Sequence, residues 1–503
     1  MALATAQHAA ERPDELALCD QRTELTWAQA DGLLNRAVNG LLALELGPER
    51  RVAVFAENSV ETVLAHVAGL YAGASVVPVN FHLTAAEAAY ILENSRATVV
   101  FTGPENAERA AAAAAQAGIG RVIAWRGDGT WEEFLAAAPV AEPPTDLTPL
   151  ANLLYTSGTT GVPKGTPLPP NMFAAGDTIA EHVEALKGQP LTMFGPQLAV
   201  GPLYHTGPLF GVRAFAAGST LAVLGRFDPE EVLAAIERWQ IKITVMVPTH
   251  FIRLLELPEE VKAKYDLSSM ILVVHTGSAC PIDVKRGMIE WWGPVLVEAY
   301  GGSEAGTVTF IDSHQWLERP GSVGRAIPPF EAVVVDEAGA VVPPGTEGRL
   351  YFRDSTGRGV LYHDDPAKTR SAHLEPGVFT LGEIGYVDDE GFVYITDRFS
   401  DMVVSGGVNL YPAEAEKVLF EHPAVIDAAC VGVPHPEMVE QLKALVVSRD
   451  PALTEDALIA FCRERLSHYK CPRGIEFVPE LPRTAMGKLN KRELRAPYWR
   501  DQA

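Results

Sequence analysis

Between residues 27 and 124, helix-periodic segments alternate with short, continuously apolar runs, and this alternation constrains the fold more than any other feature of the chain. Residues 27–46 carry apolar side chains at helical spacing behind Thr26 as a cap, and 51–56 follow as a buried strand. Helices are then expected at 59–72, at 85–94 behind Thr84, and at the Ala-rich 108–117, with strands at 75–79, 97–101 and 121–124. A strand that is apolar at consecutive positions is buried on both faces, so the pattern predicts an α/β fold with mostly parallel sheets flanked by helices.

The pattern resumes downstream with a strand at 219–224, a capped helix at 228–239, a strand at 243–247 and a unit ending in His275-Thr276-Gly277-Ser278-Ala279. A strand at 295–299 runs into Tyr300-Gly301-Gly302-Ser303-Glu304, and 201–207 forms a bend bearing Tyr204 and His205. Open α/β sheets bind ligands at the C-terminal ends of their strands, where these three loops fall. Beyond Gly321 the chain turns β-rich, with strands expected at 331–335, 348–352 and 392–395. Past Arg398 to Ser400 a smaller α+β unit is expected, with helices at 413–421 and 454–466 and strands at 424–432 and 442–447. The expected domains are 1–398 and 399–503.

One loop carries recognisable chemistry. Tyr155-Thr156-Ser157-Gly158-Thr159-Thr160-Gly161-Val162-Pro163-Lys164-Gly165 follows the apolar run 150–154 and joins glycines, hydroxyls and a lysine in one turn. Glycines let backbone N–H groups face an anion, hydroxyls add donors and lysine adds charge, a combination suited to a polyphosphate. A flexible linker would share the Ser/Gly content but not the preceding strand or the closing Pro163-Lys164. The spacing is not that of a Walker loop, in which Gly-Lys-Ser/Thr closes the motif.

Charge narrows the partners. A formal net charge of -23 argues against nucleic acid and against an anionic membrane surface, so an anionic ligand needs a local basic site. Basic residues outnumber acidic ones between Arg463 and Arg495, a plausible place for the phosphates of a nucleotide. The 5 cysteines form no CxxC, which suggests a reduced cytoplasmic setting rather than a disulfide framework or a zinc site. Neither a signal peptide nor a membrane span is expected, since the apolar stretch at 64–79 is broken by His66, Gly69, Gly73 and Pro78.

With these stretches in order, from Glu11-Arg12-Pro13 to Met486-Gly487-Lys488, the chain resembles the adenylate-forming superfamily of acyl-CoA synthetases, amino-acid adenylation domains and beetle luciferases. The resemblance implies an acyl-CoA ligase that makes an acyl-adenylate from a carboxylic acid and ATP, then passes the acyl group to coenzyme A, with a small mobile C-terminal domain. It implies that Thr156, Ser157, Gly158, Thr159, Thr160 and Lys164 embrace the β- and γ-phosphates. By the same resemblance Tyr300 would stack on adenine, Ser303 would donate to the α-phosphate, and Gly277, Ser278, Ala279 and Gly301 would border the nucleotide. It further implies that Glu383 binds the ribose, that Arg398 belongs to the nucleotide-binding set and that Glu304 holds Mg²⁺. On the same resemblance Lys488 would stabilise the adenylation transition state, His205 would gate the acyl pocket and Ser400 would be the hinge. Gly406 and Gly407 border the pantetheine tunnel, and Lys470 and Arg473 serve the CoA phosphates. An N-terminal-domain homodimer is compatible with the resemblance.

The chain departs from the family pattern at Leu381-Gly382-Glu383, where Thr-Gly-Asp is usual, at Ser400, and at a valine in 433–440 where glycine is usual. Moving a carboxylate by about 1 Å costs on the order of a hundredfold in a positioned reaction. Two alternatives therefore stand beside the ligase: a partial enzyme that converts a preformed acyl-adenylate to the thioester, and a silent adenylate-binding or partner protein. Retention of Glu304 and Lys488 weighs against the silent protein. Segments 200–210 and 275–279, His250 and 299–302 are expected to line the acid pocket, and their apolar and small residues favour a hydrophobic or cyclic acid.

Overall fold

The computed structural model describes residues 2–127, 129–156, 163–173, 175–189, 192, 194–278, 280–336, 338–398, 403–482 and 491–499, without the side chains of 396–398, 409, 413 and 492. The early alternation folds as expected into a parallel sheet in the order Ser75–Pro78, Arg51–Phe55, Val99–Thr102, Val122–Ala124. Its helices begin where their caps were legible. Thr26 and Thr84 each close a capping box, with Gln29 and Glu87, and Ser59 accepts from the N–H of Thr62.

A second, 15-stranded sheet carries the parallel run Leu221–Val223, Gln197–Ala199, Ile243–Met246, Leu272–His275, Leu296–Gly302. The same sheet then turns antiparallel through Gly306–Asp312, Ser322–Ala326, Phe392–Arg398, Glu383–Val387 and Gly348–Asp354, so the β-rich part extends the α/β sheet rather than standing apart. Separate apolar clusters fill the space between the sheets and their helices.

After residue 402 a smaller unit has its own core and a five-stranded sheet, in which the long strands Val425–His435 and Val439–Ser448 pair antiparallel. Among the described residues, no helix is long and apolar enough to cross a membrane.

One local expectation changes. Residues 300–302 do not form a loop; the strand continues through them and pairs with Gly306–Asp312. The close pairing depends on Gly301, where a Cβ would stand 1.9 Å from the carbonyl oxygen of Gly306.

Candidate active site

The expected phosphate loop is the tip of a hairpin. Leu153–Thr156 pairs antiparallel with Lys164–Pro167, with Thr156 opposite Lys164. The tip, including Ser157, Gly158, Thr159 and Thr160, lies outside the described residues. The stem is fastened on both strands. Tyr155 donates its hydroxyl to Asn94 at 2.6 Å, Thr166 Oγ1 donates to the Leu361 carbonyl at 2.8 Å, and His363 N donates to the Gly165 carbonyl at 2.7 Å. Lys164 Nζ lies 3.9 Å from Asp365; burial and the nearby Lys368 pull its pKa down, against the pull of Asp365.

The same 361–365 segment reaches the candidate metal ligand. Tyr362 donates its hydroxyl to Glu304 Oε1 at 3.0 Å, and burial together with the negative charge of Glu304 pushes the phenol pKa up, so it stays a donor. Glu304 Oε2 has no hydrogen-bond donor among the described residues. No group of three or more His, Cys, Asp or Glu side chains suited to a metal occurs there either. One carboxylate with a free oxygen fits Mg²⁺, which takes one or two protein carboxylates and completes its octahedron from phosphates and water.

At the strand ends, the 201–207 bend meets the turn after Gly302 through a 2.7 Å hydrogen bond between Thr206 Oγ1 and Ser303 Oγ. His205 is partly exposed, but its Nε2 is enclosed without a hydrogen-bond partner; burial and the neighbouring His82 lower its pKa to about 4, so the ring is neutral at physiological pH. Tyr300 donates to Glu383 Oε2 at 2.7 Å, and Glu383 is 8% exposed. Leu381 packs toward Gly302, where a Cβ would stand 3.2 Å from its Cδ2. Ser278 Oγ is buried without a partner, a spare donor beside Gly277. Ala279 lies outside the described residues. So does the side chain of Arg398, whose backbone pairs with Glu383.

The C-terminal unit enters at Gly406 and Gly407, which have φ of +58° and +79°. A Cβ on Gly407 would stand 2.9 Å from Val247 Cγ2, and one on Gly277 would stand 3.4 Å from Val247 Cγ1. Val247 is thus shared between the loop at 277 and the glycine turn, and no larger residue fits at 407 without displacing it. Arg253, one turn into the helix Pro248–Leu255, pairs with Glu437 of the C-terminal unit.

Lys470 is not a free surface cation. It is buried between Glu414 at 2.8 Å and Glu87 of the N-terminal unit at 3.0 Å, while Ser467 donates to Glu87 at 2.6 Å and Asn80 Nδ2 donates to Tyr469 at 2.8 Å. In this arrangement its charge is spent on two carboxylates. Arg473 is exposed, and its backbone N donates to Leu442 O. Lys488 and Ser400 lie outside the described residues. Sequence reasoning passed over Tyr362, Thr206 and Asp365: each stands in a stretch whose only local signal is that of a turn or bend.

Comparison with known proteins identifies the family and the fold. The family model for the AMP-binding enzyme matches residues 5–360, and that for the AMP-binding enzyme C-terminal domain matches 414–488. Feruloyl-CoA synthase from an Amycolatopsis species is 34% identical over 484 residues, 95% of this chain and 94% of that protein. Among solved structures, the amide bond synthetase McbA from Marinactinospora thermotolerans is similar at a TM-score of 0.84 and 27% identity, covering 98% of this chain and 99% of that one. A double mutant of o-succinylbenzoate CoA synthetase from Bacillus subtilis, bound with its product analogue, matches at a TM-score of 0.81 and 26% identity over 99% of this chain and 98% of that one. The same synthetase in complex with its acyl-adenylate intermediate matches at 0.65, over 98% of each chain.

Proposed function

This chain belongs to the AMP-binding enzyme family, and from that premise we propose that it is an AMP-forming acid:CoA ligase. A carboxylate oxygen of the acid bonds to the α-phosphorus of ATP as the α–β anhydride bond breaks and pyrophosphate leaves. The CoA sulfur then bonds to the acyl carbon, its proton goes to solvent, and AMP departs with the electrons of the acyl–oxygen bond.

In this reading the 156–164 hairpin tip holds the β- and γ-phosphates and Ser303, aligned by Thr206, donates to the α-phosphate. Tyr300 and Glu383 receive the nucleoside, and Lys488 offsets charge developing in the transition state. Glu304, oriented by Tyr362, would hold Mg²⁺, which supplies charge neutralisation on the phosphates. His205, neutral and enclosed, shapes the acyl pocket without titrating near neutrality.

The observation that carries the reading is the seat of Gly407 on Val247 beside the Gly277 loop: a glycine turn from the C-terminal unit borders the strand ends where the adenylate would lie. The higher TM-score with the product-analogue complex than with the acyl-adenylate complex supports an arrangement suited to thioester formation. Adenylation then requires the C-terminal unit to rotate and bring Lys488 in. A cyclic, largely apolar acid is favoured by the pocket segments and by the relative named for a feruloyl substrate.

A second reading has a specific basis: the Tyr300 hydroxyl already occupies one oxygen of Glu383, which favours a chain that adenylates slowly and works mainly on a supplied acyl-adenylate.

The test pairs ATP–pyrophosphate exchange across a panel of acids with thioester formation from synthetic acyl-adenylates and CoA, and repeats the second assay with amines because of the likeness to an amide bond synthetase. Exchange plus thioester supports the ligase. Thioester from the adenylate alone supports the second reading, and amide in place of thioester replaces CoA as acceptor. Gly407→Val is expected to depress thioester formation while sparing exchange, and Lys488→Ala to do the reverse. Equal losses in both assays for both variants would sink the division of labour.

A further inference from the structure

Away from the candidate active site, the helices Val60–Tyr71 and Leu209–Ala216 pack against each other around a cavity of about 20 Å³. Two polar side chains from the helices, His66 and Arg213, line it together with Asn152, and the other walls are apolar, Leu70 and Val212 among them. Arg213 is 7% exposed and His66 4%.

Among the described residues Arg213 has no counter-charge: no carboxylate pairs with it, and its Nε and Nη2 are buried without a hydrogen-bond partner. Burial alone lowers its pKa to about 10, so it remains a cation at neutral pH. Its guanidinium carbon lies 4.9 Å from the centre of the Phe210 ring, a contact that offsets only part of the desolvation cost of a buried ion. The balance is unfavourable without an anion.

The geometry also says how an anion is held. Nε–H and Nη2–H lie on one edge of the guanidinium and point the same way, so together they clasp a single acceptor. Nδ1 of His66, likewise buried without a partner, lines the same cavity. Burial lowers the pKa of this histidine to about 3, so the ring is neutral and Nδ1 donates in one of its two tautomers. The volume admits about one water-sized body, which excludes sulfate, phosphate and carboxylates. A water would meet the hydrogen-bonding need and leave the charge unpaired.

We propose that this cavity is a binding site for one monatomic anion, chloride under physiological conditions, held by the Nε/Nη2 edge of Arg213 with His66 Nδ1–H as an additional donor. The ion fastens the helix Leu209–Ala216, which follows directly on the bend carrying His205 and Thr206, to the helix Val60–Tyr71.

Crystals of the full chain soaked in sodium bromide, with anomalous differences collected at the bromine edge, test the assignment directly. A bromide peak in the cavity against Arg213 is expected; an ordered water or an empty cavity there overturns the proposal. In solution, sodium chloride is expected to raise the melting temperature saturably over sodium gluconate at equal ionic strength, by roughly 2 °C or more, and Arg213→Met to abolish the difference. Equal chloride sensitivity in the variant also counts against the site. If the variant does not fold, the bromide map on the unaltered protein decides.

Discussion

The hydroxyl of Tyr300 donates to Glu383 Oε2 at 2.7 Å, joining the two positions proposed to receive the nucleoside. Longer by a methylene than the aspartate that the family resemblance leads one to expect, Glu383 reaches the Tyr300 hydroxyl. Tyr300→Phe keeps the ring and removes that donor from a carboxylate that is 8% exposed. A hydrogen bond to a charged group is worth about 1.5 kcal/mol, so the KM for ATP in pyrophosphate exchange is expected to rise roughly tenfold with a smaller change in kcat. An unchanged or improved KM would mean that the bond competes with the nucleoside instead of preparing for it.

Tyr362 is expected to act through Glu304. Its hydroxyl orients the carboxylate from 3.0 Å, and removing such a support from a metal ligand costs about tenfold or more in metal affinity. Tyr362→Phe should therefore raise the MgCl₂ concentration giving half-maximal exchange by about tenfold, with the acid's KM unaltered. A variant that loses rate at all Mg²⁺ concentrations alike would show a role in packing only.

The seam around Lys470 is expected to depend on pH. Burial works against ionisation of both partners, yet Lys470 and Ser467 hold Glu87 below its ordinary 4.5, and Glu414 and Glu87 hold Lys470 above 10.5. The Glu87 contribution is complete above pH 4.5 and lost as the pH falls through its lowered value. The Lys470 contribution is complete below pH 10.5 and lost as the pH rises through its raised value. Burial raises the pKa of Glu414, the third member of the cluster, so its contribution runs the opposite way in the acid range; between these limits the Glu87–Lys470 pair is formed. Breaking it with Glu87→Gln costs roughly 3 kcal/mol and should enlarge the radius of gyration in small-angle scattering at pH 7, and acidification of the unaltered chain is expected to do the same. No change in either case would show that the seam does not hold the units together.

Val439 sits at φ +68°, in the left-handed region that disfavours β-branched residues. Val439→Gly relieves about 1–2 kcal/mol of backbone strain, part of which is offset by the greater freedom of glycine in the unfolded chain. The expected net gain is about 1 kcal/mol, measurable as a higher denaturation midpoint at constant slope. A loss of stability would mean that packing of the side chain outweighs the strain.

Much of the architecture was legible because its signals are local. Caps at Thr26, Thr84 and Asp228 stand where the helices begin, and the apolar runs at 51–55 and 99–102 lie where strands form. Residues 300–302 misled because two glycines read as a turn, whereas the close approach of Gly306 across the strand pair demands them. Lys470 misled because local basic density says nothing of Glu87, which lies 383 residues earlier in the chain. Tyr362 gave no signal at all: a tyrosine before Asp364-Asp365-Pro366 marks a turn, and its reach to Glu304 exists only once the sheet is assembled.

The segment from Leu361 to Asp365 works as a caliper. One jaw grips the phosphate hairpin through Gly165 and Thr166, and the other touches Glu304 through Tyr362. The gap between a cradle for the outer phosphates and the carboxylate that would hold their counter-ion is thereby set by a stretch that need not touch the nucleotide. A one-residue insertion or deletion there would reset that gauge at both ends at once, while every residue assigned to contact ATP stayed in place.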